Sequence, residues 1–221
     1  MKERVKIVEN ILVANDEIAK ENLAVFNHNN ILAMNIMASP GAGKTSVILE
    51  IIKHLKNKYH LGVIEGDTTS VTIDADKVNK LGIPAVQINT GGNCHLDANM
   101  VKNAIKHLSL DTLDLVIIEN VGNLICPAAF QLGTHKNAVI ASIPEGDDKP
   151  YKYPAIYRGI DVLILNKLDL LPYVDFDINY FEKGIRILNP QVQFFKISCK
   201  TGKGFKNWMN WLESQILEFK T

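Results

Sequence analysis

Two groups of residues in this 221-residue chain have types and spacings that could do chemistry. The first is SPGAGKTS, residues 39–46. Here an apolar run passes through Pro40, Gly41, Ala42 and Gly43 into Lys44, Thr45, Ser46 and a second apolar run. Glycines let backbone amides approach an anion closely, and the start of a helix directs unpaired amides and a partial positive charge at the same point. Lys44 is placed to reach the β- and γ-phosphates of a nucleotide, and Thr45 to offer its hydroxyl to Mg²⁺. The pattern departs from the Walker A consensus at Ala38, where glycine is usual. The second group is Cys94-His95 in NTGGNCHLDANM and Cys126 in GNLICPAAF. Thiolate and imidazole are borderline-soft donors suited to Zn²⁺ or Ni²⁺. Spacing alone leaves open whether these cysteines bind metal or are buried packing residues.

Other segments address the identity of the nucleotide and its turnover. LILNKLDLL contains N-K-x-D as Asn166, Lys167 and Asp169. A carboxylate there can accept from guanine N1–H and the exocyclic amine, a donor pattern adenine lacks. Asn166 is expected to touch the base edge or brace the neighbouring loop, and the Lys167 stem to lie along the base plane. ISCKTGKG places Ser198, Cys199 and Lys200 where GTPases have a loop over the guanine; Cys199 reads as packing rather than redox chemistry. VIIENVGN resembles a D-x-x-G switch with Glu119 in the acidic position. Glu119 would hold a Mg²⁺-bound water, and the Gly122 amide would meet the γ-phosphate. EGDTTSVTIDAD offers Asp67 at a strand end and Asp74 in the loop that follows. Both are candidates for Mg²⁺ or for orienting the attacking water, and helix capping is the plainer alternative. The residue after Gly122 is Asn123 rather than Gln, so slow intrinsic turnover is expected.

An α/β framework must position these groups. Strands are expected at 31–38, 60–65, 84–89, 114–119, 137–143, 161–166 and 193–197, several of them nearly continuous apolar runs. Helices are expected at 44–58, 74–81, 97–108, 152–159, 177–188 and 203–219. The alternation predicts a three-layer, Rossmann-like P-loop domain on a mostly parallel seven-stranded sheet, with ligands at the carboxyl ends of the strands. The loops carrying Cys94-His95 and Cys126 then follow neighbouring strands and could meet. Residues 3–26 space Val5, Ile7, Val8, Ile11, Leu12, Ile18, Leu23 and Phe26 at helical period. This predicts an N-terminal helical extension, 1–30, ahead of the GTPase domain, 31–221.

Composition bounds the rest. Lys+Arg and Asp+Glu are both 24, so net charge gives no general case for nucleic acid or an anionic membrane surface. No stretch approaches the ~20 apolar residues of a membrane span. MKERVKIVENILVAN lacks the continuous apolar core of a signal peptide, and 3 scattered cysteines suit a reducing, cytoplasmic setting. His28, His54, His60, His107 and His135 have no paired motif and read as surface or packing residues.

Taken together, SPGAGKT, EGD…DAD, NTGGNCHLDA, the IENVGNLICPA run, EGDDKP and NK.DLLP resemble the HypB family of SIMIBI-class GTPases, which serve nickel insertion into hydrogenase, and the likeness covers essentially the whole chain. The resemblance implies slow GTP hydrolysis to GDP, GTP-dependent homodimerisation, and a nickel or zinc site at Cys94, His95 and Cys126. It also implies a HypA-like nickel/zinc protein as partner, docking on the 3–26 helices, with the hydrogenase large subunit as indirect recipient. The chain lacks the N-terminal cysteine motif and histidine-rich tract of some relatives. It also has Asn99 where some place a further histidine. The alternatives are a GTPase serving urease, a small-molecule kinase and a non-catalytic zinc scaffold. Cys126-Pro127-Ala128 departs from the Cys-Pro-His expected of the first, N-K-x-D counts against the second, and single-turnover GTP hydrolysis would exclude the third.

Overall fold

The computed structural model describes residues 11–68 and 73–220 (of Ile73 only the backbone), so Val5, Ile7 and Val8 of the N-terminal stripe lie outside the described residues. In chain order the elements are α1 (Ile11–His28), β1 (Leu32–Ala38), α2 (Lys44–Leu55), β2 (Leu61–Asp67), α3 (Ile73–Asn79), β3 (Ala85–Asn89), α4 (Ala98–Ile105), β4 (Leu115–Glu119), β5 (Lys136–Ser142), α5 (Lys149–Lys152), α6 (Pro154–Arg158), β6 (Val162–Asn166), α7 (Ile178–Leu188), β7 (Gln193–Lys196) and α8 (Phe205–Lys220). All seven strands join one sheet in the order β3-β2-β4-β1-β5-β6-β7. Every pairing is parallel, where the sequence predicts a mostly parallel sheet. β1, β4 and β6 are buried along their whole length because helices cover both faces. One core layer sets β1 and β4 against α2 and α8 around Trp208, and the opposite face packs Phe26 of α1 with α4.

The expected helix at 152–159 is two short helices, α5 and α6. Pro154 has no N–H to continue the first, and Tyr153 before it sits at φ −127°, ψ 56°.

The N-terminal helix differs from the apolar stripe read along it. Its buried face is Asn15, Ala19, Asn22 and Phe26, while Ile11 and Val13 are exposed. The asparagines are buried because each pairs with backbone. Asn15 Oδ1 accepts from the Ala98 N–H (2.8 Å), and its amide donates to Gln131 O (2.8 Å). Asn22 Nδ2 donates to Ala98 O (2.8 Å) and Leu132 O (3.0 Å). α1 is thus tied to the start of α4, directly behind the Cys94-His95 loop.

His135 is half-buried between Phe26 and Phe219. Its Nδ1 accepts the Ala33 N–H (2.9 Å), and its Nε2 hydrogen points to Asn27 Oδ1 (3.0 Å). Burial pushes this imidazole down to about 4, so the folded protein keeps it neutral. The unfolded chain binds the proton that the native state refuses. The stability His135 contributes is therefore complete above its ordinary value near 6.5 and disappears as pH falls from there toward 4. Calorimetric melting temperatures should decline through that window, and the decline should flatten in His135→Gln; an identical slope in the variant would count against this role.

Candidate functional site

The carboxyl end of β1 runs into the loop 39–43 and then α2. Gly43 precedes the helix at φ 103°, a left-handed conformation that costs glycine little. A Cβ there would also lie 2.6 Å from Asn166 Nδ2. That contact belongs to a brace. Asn166, buried at the end of β6, donates through Nδ2 to Ala42 O (3.1 Å) and accepts the Cys199 N–H at Oδ1 (3.4 Å). Lys167 Nζ donates to Gly41 O (2.6 Å). Of the two roles expected of Asn166, the structure displays bracing, and the Lys167 ammonium does the same. At the other side of the loop, Ser39 donates to Glu145, whose second oxygen accepts from Ser142 (2.7 Å). Glu145, in EGDDKP, was not singled out from sequence, and no local signal would have pointed it at Ser39.

On one flank of α2 a cavity of about 550 Å³ is lined by Ser46, Lys167, Asp169, Cys199 and Lys200. Asp169 accepts from the buried Ser198 hydroxyl (2.5 Å), which holds its carboxyl below the usual range and fixes its orientation. Burial pushes the Cys199 thiol up to about 11. It stays a packing thiol near neutral pH, as the sequence suggests.

The other flank is acidic. Thr45 Oγ1 lies 2.9 Å from Asp74 Oδ2 and 3.1 Å from Glu119 Oε1. Asp74 sits in the first turn of α3, at the start of the helix expected from 74. Asp67 ends β2 on the same cleft, beside Lys44 and Gly122. Burial pushes Glu119 up to about 7, against the opposing pull of the Lys44 charge. Glu65, the first residue of EGD, has no role that its place in the sequence predicts. Glu65 pairs in register with Glu119, so the two carboxylates project on the same face of adjacent strands. It accepts the Ala75 backbone amide, while Oε2 is buried without a hydrogen-bond partner among the described residues. Burial, with Asp74 and Asp67 adding repulsion, lifts it to about 7 as well. Hard oxygen donors clustered around a threonine hydroxyl at a phosphate loop fit Mg²⁺, with Thr45, Asp74 and Glu119 as the donors within reach.

The sulfur cluster forms as anticipated, by a route the sequence does not predict. Cys94-His95 follows β3 and Cys126 follows β4, but these strands are not neighbours: β2 lies between them. The 90–97 loop crosses over the end of β2 because Gly66 has no side chain. A Cβ on Gly66 would lie 2.7 Å from the Leu96 side chain. As a result the Cys94 and Cys126 sulfurs are 2.9 Å apart, and one donor atom each from Cys94, His95 and Cys126 fall within 4.8 Å of one another. His95 stacks on Phe130 at 3.9 Å, and burial lowers its imidazole below the ordinary value, favouring the neutral, ligating form. Two thiols and an imidazole, one thiol exposed, form an accessible three-donor set suited to Zn²⁺ or Ni²⁺.

Comparison with known proteins agrees with this geometry. Residues 32–196 match the family described as CobW/HypB/UreG, nucleotide-binding domain. The chain is 42% identical over 205 residues to the hydrogenase maturation factor HypB of Escherichia coli, covering 93% of this chain and 70% of that one. It is 41% identical to the probable HypB of Methanocaldococcus jannaschii, over 97% and 96% of the two chains. The crystal structure of Helicobacter pylori HypB in complex with nickel superposes with a TM-score of 0.88 at 36% identity, over 93% of this chain and 96% of that one. The chain belongs to the HypB proteins within the CobW/HypB/UreG family of P-loop GTPases.

Proposed function

We propose that this protein is a GTP-driven metallochaperone that carries nickel during [NiFe]-hydrogenase maturation. The observation that carries the reading is the closeness of Cys94, His95 and Cys126 beyond the same sheet end that bears the phosphate loop. The metal is cargo: three donors on an accessible loop suit capture and release better than a closed four-ligand structural site.

In this reading Lys44 and the amides of residues 41–46 hold the triphosphate, and Asp169 with Ser198 selects guanine. Thr45, Asp74 and Glu119 would hold Mg²⁺, which would supply charge stabilisation for phosphoryl transfer. Asp67 or Asp74, both on this cleft, orients the attacking water. Turnover is slow because Asn123, next to Gly122, is engaged elsewhere: its amide donates to Cys94 O (3.2 Å). Exchange of GTP for GDP alters the contact of Gly122 with Pro40, and through it subunit pairing and the hold on nickel. The protein acts in the cytoplasm, and no helix of the described residues is long and apolar enough to cross a membrane. In the same reading the chain divides into an N-terminal extension, 1–30, of which 11–30 are described, and the GTPase domain, 31–221. The exposed Ile11 and Val13 of α1 are candidate contacts for a HypA-like nickel/zinc protein, from which the metal passes on to the hydrogenase large subunit.

A second recipient has one observation in its favour. A Helicobacter pylori relative, 39% identical over 96% of this chain, is a hydrogenase/urease maturation factor.

The test is metal titration. Cys126→Ala should weaken Ni²⁺ or Zn²⁺ binding by at least about ten- to a hundredfold, the cost of losing even an outer-shell partner of a metal ligand, with GTP affinity unchanged. Titrations indistinguishable from the unmodified protein would remove Cys126 from the site and with it the cargo reading. Mass measured with GDP and with a GTP analogue reports subunit pairing in the same samples.

A further inference from the structure

We infer that Asn120 and Asn123 are positioning residues that convey the state of the nucleotide cleft to the cargo-metal loop; this rests on the reading above. Both lie on the segment that begins at Glu119, beneath Thr45, passes Gly122 against Pro40 of the phosphate loop, and ends at Cys126. Each reaches across to the 90–97 loop and takes a backbone group next to His95.

Asn120 is fully buried. Its Oδ1 accepts from the Leu96 N–H (3.1 Å) and the Val121 N–H (2.9 Å), and its amide donates to Asn35 Oδ1 (3.3 Å). Its own N–H donates to Ile36 O (2.9 Å), and Asn35 donates in turn to Asn137 (3.2 Å). Asn120 is therefore anchored to β1 and β5, and Leu96 is its link to the metal loop. Asn123 makes the second link. Its Nδ2 donates to Cys94 O (3.2 Å), and its Oδ1 accepts the Ile125 N–H (2.9 Å), which shapes the turn into Cys126.

The two asparagines thus grip the carbonyl before His95 and the amide after it, from two points of one segment. Asn120 is held by the sheet and Asn123 lies just past the Gly122–Pro40 contact. A shift of Gly122 relative to Pro40 moves Asn123 while Asn120 stays, so Cys94 moves against Leu96 and the spacing of Cys94, His95 and Cys126 changes. Hydrogen bonds are directional, so these two amides, Asn120 buried and Asn123 half-buried, transmit such displacement better than apolar side chains, whose contacts are non-directional.

The test compares Ni²⁺ dissociation constants of the full chain loaded with GDP and with GTPγS. In the unmodified protein the two constants should differ by about fivefold or more, the common range of coupling between sites. Asn123→Ser keeps a hydroxyl able to accept from Ile125 but cannot reach Cys94 O, so it should bring the ratio to within about twofold of one. Asn120→Ala should do the same; if it fails to fold, Asn123→Ser still decides. A ratio preserved in Asn123→Ser overturns the inference and leaves the chaperone reading intact. A ratio of one in the unmodified protein removes nucleotide-coupled release, and this inference with it.

Discussion

Lys44→Ala should bind GTP about ten- to a hundredfold more weakly, the loss of a charge-assisted hydrogen bond worth ~1.5–3 kcal/mol, and show no measurable turnover, because the charge facing the transferring phosphoryl is gone. Two effects of one charge combine. Lys44 is placed at the start of α2 to meet the outer phosphates, and it also offsets the carboxylates beside it, as its pull on Glu119 shows. Without it, Glu65, Asp67, Asp74 and Glu119 face a polyanion with less opposing charge, since Lys77 is paired to Asp74 at 2.6 Å. Isothermal titration and single-turnover hydrolysis measure the two effects separately. Ordinary affinity and kinetics in this variant would mean that the triphosphate binds somewhere else.

Asp169→Asn should convert a guanine site into a xanthine site. The carboxylate is oriented by Ser198 at 2.5 Å and lines the cavity beside α2. Guanine presents two donors there, and an aspartate accepts both. An asparagine turns one acceptor into an NH₂ group that faces a donor. Two charge-assisted hydrogen bonds are weakened or lost, each worth ~1.5–3 kcal/mol, so GTP affinity should fall by roughly three orders of magnitude. Xanthine carries an oxygen where guanine has its amine, so XTP should bind the variant more tightly than GTP does. Competition between the two nucleotides measures this, and an unchanged preference for guanine would exclude Asp169 from base recognition. Ser198→Ala offers a milder check, because it frees the carboxylate to rotate.

What could be read along the chain was what short-range chemistry encodes. The seven strands and most of the helices follow from apolar runs alternating with amphipathic ones, since a parallel sheet covered on both faces requires that pattern. The phosphate loop was legible because its Gly-rich turn, lysine and threonine do their work within a few residues of each other. N-K-x-D was legible for the same reason, although Asn166 and Lys167 prove to grip the loop at Ala42 and Gly41. The α1 stripe gave the helix and the burial of Phe26 but not that of Asn15 and Asn22, because polar side chains that find backbone partners can be buried as fully as apolar ones.

Residue types and spacing thus determined the fold class, the nucleotide loop and the candidate metal donors. Only the tertiary structure decided that the donors converge, because strand order is set by packing between distant segments and not by any local pattern. Cys94 reaches Cys126 across an intervening strand through the space that Gly66 leaves for Leu96. The same long-range placement brought Glu65 beside Glu119, Glu145 under Ser39, and two asparagines to either side of His95. Each of these depends on contacts between residues far apart in the chain, where spacing along the sequence carries no information about distance.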